Sequence, residues 1–221
     1  MQRRRLGKSA IVVSDICMGT MTFGSQADEA EALRVLDASF DAGIDFYDTA
    51  EGYPVPPDPK WVGRTEEIVG KWLKTKPRDA IVLATKVSGP SHVWFRSPKR
   101  EGMTALDRRN IMVAVEDSLR KLGTDYIDLY QFHNPAFCPK PGDGSGLYEA
   151  MQEAKAKGMI RHIGITNHRL KVAHEAIDSG LYETLQFPFS YISGEQELEL
   201  VNKCKAANMG FIAMKGLSGG L

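Results

Sequence analysis

Short apolar segments alternate with longer amphipathic segments along most of the chain, and this pattern predicts alternating strands and helices. Strands are predicted at 16–18, 43–47, 81–85, 126–132, 162–165, 184–187 and 210–214. Helices are predicted between them, at 27–42, 64–73, 107–122, 146–157, 170–179 and 195–207. Before the first strand, segments 3–6 and 11–13 flank a turn at 7–9 and predict a β-hairpin.

The predicted strands are short and apolar, and a predicted helix follows each of the first six, which predicts a parallel sheet buried on both faces. Two architectures remain, an open doubly wound sheet and a closed (β/α) barrel. The first strand leads into Gly19–Gly24, which lacks the G-x-G-x-x-G spacing of a dinucleotide-binding open sheet. Polar residues instead follow several strands, as at the carboxyl-terminal face of a barrel. We therefore expect one barrel domain over residues 1–221.

Composition and charge narrow the function classes. Lys and Arg total 28, and so do Asp and Glu, giving a formal net charge of zero. A nucleic-acid-binding or polybasic membrane-surface protein needs a positive excess, so neither is expected. The three cysteines lie far apart and predict neither a disulfide framework nor a structural zinc site. With no apolar run approaching about 20 residues and no clear signal peptide, a cytoplasmic location is expected.

Four polar residues at the predicted barrel mouth form a candidate proton-transfer site. Asp48 follows the second strand, Tyr53 lies five residues further on, Lys86 follows the third strand and His133 follows the fourth. A nearby lysine ammonium stabilises a phenolate and lowers the pKa of a tyrosine. Asp48 would keep Lys86 charged and in place, while His133 would orient or polarise a carbonyl.

The sequence resembles the aldo-keto reductase family. The resemblance covers essentially the whole chain and rests on separated motifs, GTMTFG, DFYDTAEGY, ATK, DLYQFH, GITNH, QFPFSY and MKGLSGG. It implies a (β/α)8 TIM barrel in which a hydride passes from NADPH to a small aldehyde or ketone. It also implies Tyr53 as the general acid, Asp48 and Lys86 as the pair that tunes it, and His133 as the residue that orients the carbonyl.

The resemblance further implies a cofactor cleft. Thr166, Asn167 and Gln186 match residues that bind the nicotinamide carboxamide. Other matching cleft residues are Gly19, Thr20, Met21, Asp48, Met214, Lys215, Gly216, Leu217 and Gly219. Many family members place an aromatic ring where this chain has Met214, although a thioether can also pack on a ring face. NAD is not excluded, and no metal is expected.

The chain length departs from the resemblance. Seven strands are predicted, and the sequence stops at Leu221, within the loop after the seventh. We therefore expect a barrel that lacks its eighth βα unit. Such a chain would be a fragment or partial barrel, a protomer that covers its exposed edges with a second copy, or one part of a longer protein. Exposed parallel edges favour self-association.

Two further functions compete with the carbonyl reductase. A non-catalytic barrel fragment, acting as a structural or association module, would retain the four site residues without turnover. A metal-dependent barrel hydrolase would need clustered histidine and carboxylate ligands at strand ends. Only His133 and Asp48 meet that requirement, so the hydrolase is the weakest of the three.

Overall fold

A computed structural model describes residues 1–56, 58, 60–89 and 107–217. Its strands are β1 (Arg3–Arg5), β2 (Val12–Ser14), β3 (Cys17–Gly19), β4 (Phe46–Asp48), β5 (Val82–Ser88), β6 (Ile127–His133), β7 (Ile160–Thr166), β8 (Thr184–Pro188) and β9 (Gly210–Met214). Its α-helices are α1 (Glu29–Asp41), α2 (Arg64–Leu73), α3 (Arg108–Leu122), α4 (Leu147–Ala156), α5 (Leu170–Ser179) and α6 (Glu195–Ala206). Among these helices, none is long and apolar enough to cross a membrane.

The helix ends follow local sequence chemistry. Asp28 and Asp107 cap α1 and α3, each accepting a hydrogen bond from a backbone amide of the first turn. Gly123 ends α3 in the left-handed conformation, with φ at 64°, as glycine commonly does at this position. The interior face of α3 carries Ile111 and Val115, both fully buried, as the apolar periodicity predicts.

The described strands β3 to β9 form one parallel sheet in sequence order, each hydrogen-bonded to the next. The sheet curls into an incomplete barrel with the helices outside it, so the predicted barrel architecture is confirmed. The antiparallel β1–β2 hairpin is also present. The carboxyl-terminal ends of the parallel strands therefore meet at one mouth.

Two apolar layers hold this arrangement. The larger lies between the sheet and the helices and includes Trp72, Leu83 and Phe132. The smaller lies inside the barrel, where side chains of the hairpin such as Leu6 pack against inward-facing residues such as Leu129. The hairpin therefore covers the amino-terminal end of the barrel, and the candidate site lies at the opposite mouth.

The structure corrects the predicted strand boundaries next to the candidate site. Strand β4 begins at Phe46 and includes Asp48, while β5 continues beyond Lys86 to Ser88. His133 is the last residue of β6. These residues were predicted to follow their strands, but the sheet holds their backbones directly. Asp45 lies outside β4, where its carboxylate accepts a hydrogen bond from the Ser14 amide of the hairpin at 2.7 Å.

Candidate active site

Strand register brings the predicted proton-transfer residues to one mouth. Asp48 ends β4, and its neighbour β5 carries Lys86 two residues before its end. Ser88, the last residue of β5, pairs with His133, the last residue of β6. Asp48 and Lys86 are nearly completely buried. Backbone hydrogen bonding within the sheet therefore fixes the spacing of three of the four candidate side chains.

The Lys86 ammonium lies at the centre of the site. Its Nζ donates to Asp48 Oδ2 at 2.5 Å, to the Thr49 carbonyl oxygen at 2.7 Å and to the Tyr53 hydroxyl at 3.4 Å. The side chain of Lys86 is only 2% exposed, so these partners replace water around a buried charge. One cation thus connects the candidate carboxylate to the candidate acid.

Tyr53 enters the site from the loop between β4 and α2. Its ring lies edge-on to the His133 imidazole, with ring centroids 5.7 Å apart and an interplanar angle of 85°. Lys86 Nζ lies 4.8 Å from the centroid of the same ring. The Tyr53 carbonyl oxygen accepts a hydrogen bond from the Gly63 amide at 2.9 Å. All four candidate residues therefore lie together.

Burial and charge act in opposite directions on the acid and its partner. Burial raises the pKa of Tyr53 more than the Lys86 ammonium lowers it. Burial alone would lower the pKa of Lys86, but the Asp48 carboxylate and the Tyr53 phenol together raise it. The sequence predicted a lowered tyrosine pKa, whereas the net pKa is raised. The site accordingly holds a protonated phenol beside a charged ammonium at neutral pH.

Two residues that sequence reasoning missed complete the surroundings of Asp48. Gln131, on β6, donates from Nε2 to Asp48 Oδ1 at 3.2 Å. Thr49 supplies the carbonyl oxygen that accepts from Lys86. A buried amide two residues before His133 faces the same side of β6 as His133, and this spacing is a signal that could have identified Gln131. The Thr49 contact is made by backbone and has no side-chain signal.

The predicted carboxamide-binding residues lie on neighbouring strands. Thr166 and Asn167 are at the end of β7, and Gln186 is inside β8. Asn167 already donates from Nδ2 to the Pro135 carbonyl oxygen at 2.9 Å. Gln186 Oε1 is buried and has no hydrogen-bond partner within the described ranges. Among these three residues, Gln186 therefore has a buried oxygen that is available to accept a hydrogen bond from an amide ligand.

The other predicted cofactor residues differ in exposure. Thr20 is buried, and its hydroxyl donates to the Asp48 carbonyl oxygen at 3.0 Å, so it supports the end of β4. Gly19, Met21, Gly216 and Leu217 are exposed, and Met214 is half-buried. Lys215 lines a cavity beyond β7, β8 and β9, together with residues such as His168 and Phe189. Gly219 lies outside the described residues.

A second buried carboxyl lies behind the site, on the helix side of β5. Glu66 is fully buried in the first turn of α2, and its Oε1 accepts from the Thr85 hydroxyl at 2.7 Å. Burial raises the pKa of Glu66 to about 7, against the opposing effect of Lys121. In the part of the chain that the structure describes, no cluster of His, Cys, Asp and Glu could hold a metal ion.

Known proteins resemble the chain along nearly its whole length. The profile of the Aldo/keto reductase family matches residues 15–221. Protein tas of Escherichia coli is 38% identical over 224 residues, which cover 90% of this chain and 63% of that protein. Uncharacterized oxidoreductase YrpG of Bacillus subtilis is 34% identical, covering 100% of this chain and 68% of that protein.

A solved structure extends the likeness to three dimensions. The holo form of an aldo-keto reductase from Bacillus halodurans superposes with a TM-score of 0.81 at 32% sequence identity. The match covers 100% of this chain and 68% of that one. The chain thus spans 63% of the length of protein tas and 68% of the length of the solved enzyme.

Proposed function

The chain belongs to the aldo/keto reductase family, and we propose that it is an NADPH-dependent carbonyl reductase with Tyr53 as its general acid. Its relatives support an oxidoreductase role, since one of them is named an oxidoreductase and another an aldo-keto reductase. The substrate class we propose is a small aldehyde or ketone.

One observation carries the proposal, the contact of a single buried ammonium with both Asp48 and the Tyr53 hydroxyl. A phenol at its ordinary pKa is a weak acid at neutral pH. When it gives up its proton, the charge that develops on oxygen lies 3.4 Å from the Lys86 ammonium. A cation placed where charge develops stabilises the transition state more than the ground state.

The proton inventory of the proposed reaction is simple. When bound, the dinucleotide supplies the hydride that reaches the carbonyl carbon. Tyr53 gives its hydroxyl proton to the carbonyl oxygen, which becomes an alcohol, and the phenolate remains beside Lys86. His133, whose ring is edge-on to Tyr53, would orient the carbonyl oxygen toward the phenol. Solvent then restores the proton of Tyr53.

Gln186 supports the presence of a nicotinamide site. Its buried Oε1 would accept from a carboxamide NH₂, the kind of partner that a buried amide oxygen requires. Thr166 and Asn167 would lie at the same end of the cleft, and Met214 would pack on the ring. Lys215 offers a positive charge for an anionic cofactor. We propose NADPH over NADH from the family resemblance alone.

The test is NADPH oxidation, followed at 340 nm, with 4-nitrobenzaldehyde as the carbonyl substrate. We expect turnover by the full chain and a loss of about 100-fold or more in kcat for Tyr53→Phe, as for removal of a general acid. Tyr191→Phe is the matched control, because Tyr191 is 79% exposed. Equal rates for Tyr53→Phe and the unsubstituted chain would contradict the role of Tyr53.

The alternative function is a non-catalytic association module that retains the site residues. This alternative would be favoured if neither the unsubstituted chain nor Tyr53→Phe turned over substrate and light scattering showed self-association. A cytoplasmic location stays a prediction.

A further inference from the structure

Gln131 lies inside the barrel, in register with Lys86. On β6 it pairs with Lys86 of β5 on one side and with Gly164 of β7 on the other. Its side chain is fully buried. The amide of Gln131 therefore lies at the same level of the barrel as the Lys86 ammonium, without contact with bulk water.

The Asp48 carboxylate is held by donors at both oxygens. Lys86 donates to Oδ2 at 2.5 Å, and Gln131 Nε2 donates to Oδ1 at 3.2 Å. A carboxylate with one donor is free to turn about its last carbon–carbon bond, because that torsion is broad. The Gln131 contact removes this freedom and so sets the direction from which Asp48 holds Lys86.

The barrel makes room for this amide at one position. A Cβ added to Gly164 would lie 3.0 Å from Gln131 Cγ and 2.4 Å from Thr184 Oγ1. Glycine is thus the residue whose size lets Gln131 and Thr184 lie side by side across β7. A methyl group there would push on the side chain that reaches Asp48.

Building on the proposed function, we propose that Gln131 is a positioning residue that holds the Asp48 carboxylate so that Lys86 lies between Asp48 and Tyr53. It acts through Asp48 and does not itself need to contact substrate or cofactor. The requirement is for a hydrogen-bond donor at this position, since the Asp48 oxygen that it reaches can only accept.

Gln131→Glu converts that donor into an acceptor of the same shape. The titratable groups that face the position are Asp48 on β4, Lys86 on β5, Cys17 on β3, and Tyr53 and His133 at the mouth. The neighbours on β7 and β8 are the neutral Gly164 and Thr184, with the His162–Glu183 pair nearer the amino-terminal ends. Two adjacent carboxyls share one proton at low pH, which restores the missing donor.

The experiment measures kcat and KM for 4-nitrobenzaldehyde at about pH 5.5 and about pH 8. Loss of a hydrogen bond to a charged group corresponds to about 10-fold to 100-fold in rate. We expect Gln131→Glu to lose that factor in kcat at the higher pH and to recover most of it at the lower pH, with little change in KM. Gln131→Met, which has no donor, should lose it at both.

Matched variants separate positioning from general damage. Gln196→Glu makes the same change at an exposed site on α6 and should leave both pH points unchanged. Gly164→Ala should lower kcat through the displaced amide, and a second change, Thr184→Ala, should restore part of it by relieving the 2.4 Å approach. A Gln131→Glu chain with the unsubstituted pH profile would overturn the inference.

A measurement that does not require turnover tests the positioning role of Gln131 separately from the proposed reductase activity. In NMR spectra of the ¹⁵N-labelled chain, one side-chain amide proton of Gln131 should be shifted downfield of the side-chain amide protons of Gln196. Asp48→Ala should abolish this shift. An unsubstituted chain without turnover would contradict the proposed reductase. A Gln131 amide signal that does not respond to Asp48→Ala would overturn the positioning role by itself.

Discussion

Glu66→Gln should make the stability of the protein less dependent on pH. Glu66 is fully buried, and its pKa is raised from 4.5 to about 7, mainly by burial. Its native carboxyl therefore holds a proton that the unfolded chain releases near pH 4.5. The stability from this proton is fully present below pH 4.5, declines up to about pH 7 and does not change further above that.

The size of the effect follows from the two pKa values. One pKa unit corresponds to about 1.4 kcal/mol, so the free energy of unfolding should lose about 3 kcal/mol from this group between pH 4.5 and about 7. Glutamine keeps the shape and can accept from the Thr85 hydroxyl, which lies 2.7 Å from Glu66 Oε1. The variant has no proton to lose, so it should gain about that amount relative to the unsubstituted chain over the same pH range.

The assay is reversible urea unfolding of both chains at a series of pH values, with the difference in unfolding free energy plotted against pH. Glu67→Gln is the control, since Glu67 is in the same turn of α2 and its side chain is 46% exposed. A difference that stays constant within about 0.5 kcal/mol, the scale of an ordinary surface substitution, would refute the buried ionisation of Glu66.

Gly70→Ala should lower the free energy of unfolding by about 3 kcal/mol or more in chemical denaturation, because a Cβ there would lie 2.1 Å from the Lys121 carbonyl oxygen. Lys86→Met should raise the pKa of Tyr53 further, as seen by ultraviolet titration, and lower kcat by about 100-fold. Glu183→Gln should lower the urea midpoint at neutral pH but not near pH 2, because His162 and Lys155 outweigh burial and lower the pKa of Glu183 to about 2. Light scattering should show self-association, because no further strand covers β3 or β9 among the described residues.

Each of these four predictions can be contradicted by a specific result. Gly194→Ala is the control for Gly70→Ala, since a Cβ there meets only Glu197 Oε2, at 3.4 Å; equal effects would contradict the packing argument. An unchanged Tyr53 titration in Lys86→Met would contradict the coupling of the pair. A urea midpoint lowered equally at both pH values in Glu183→Gln would contradict the predicted pH dependence. A monomer at micromolar concentration would contradict the predicted self-association.

Periodicity alone predicted the order of strands and helices, because the apolar strand runs and the amphipathic helices differ clearly in period. It failed at strand ends near the site. Gly43 was predicted to start a strand, but its φ of 89° places it in the turn after α1. Asp45 turns to the hairpin at Ser14, a contact between segments distant in sequence that no local pattern contains.

The residues of the candidate site could be predicted because they lie at or near strand ends. Properties that depend on tertiary packing could not be predicted. Asp48, Tyr53, Lys86 and His133 were predicted from the sequence. The sheet register brings Asp48, Lys86 and His133 together, and the loop after β4 adds Tyr53. The raised pKa of Tyr53 could not be predicted, because it depends on how deeply the loop is buried.

Glu66 shows the same limit at a position outside the mouth. It lies three and seven residues before Val69 and Leu73, which are buried on α2, so helical periodicity places it on the inward face. A charged residue on such a face signals a buried polar contact. Its partner, the Thr85 hydroxyl on β5, is given only by the packing of helix on sheet.

The central claim is that this site transfers a hydride to a carbonyl carbon while Tyr53 supplies the proton. The most direct measurement is a mass-spectrometric analysis of the alcohol formed from 4-nitrobenzaldehyde with NADPH that carries two deuterium atoms at C4. The proposed reaction predicts one deuterium on the carbinol carbon with the unsubstituted chain, and a yield about 100-fold lower with Tyr53→Phe. An alcohol without deuterium, or an equal yield from Tyr53→Phe, would contradict it.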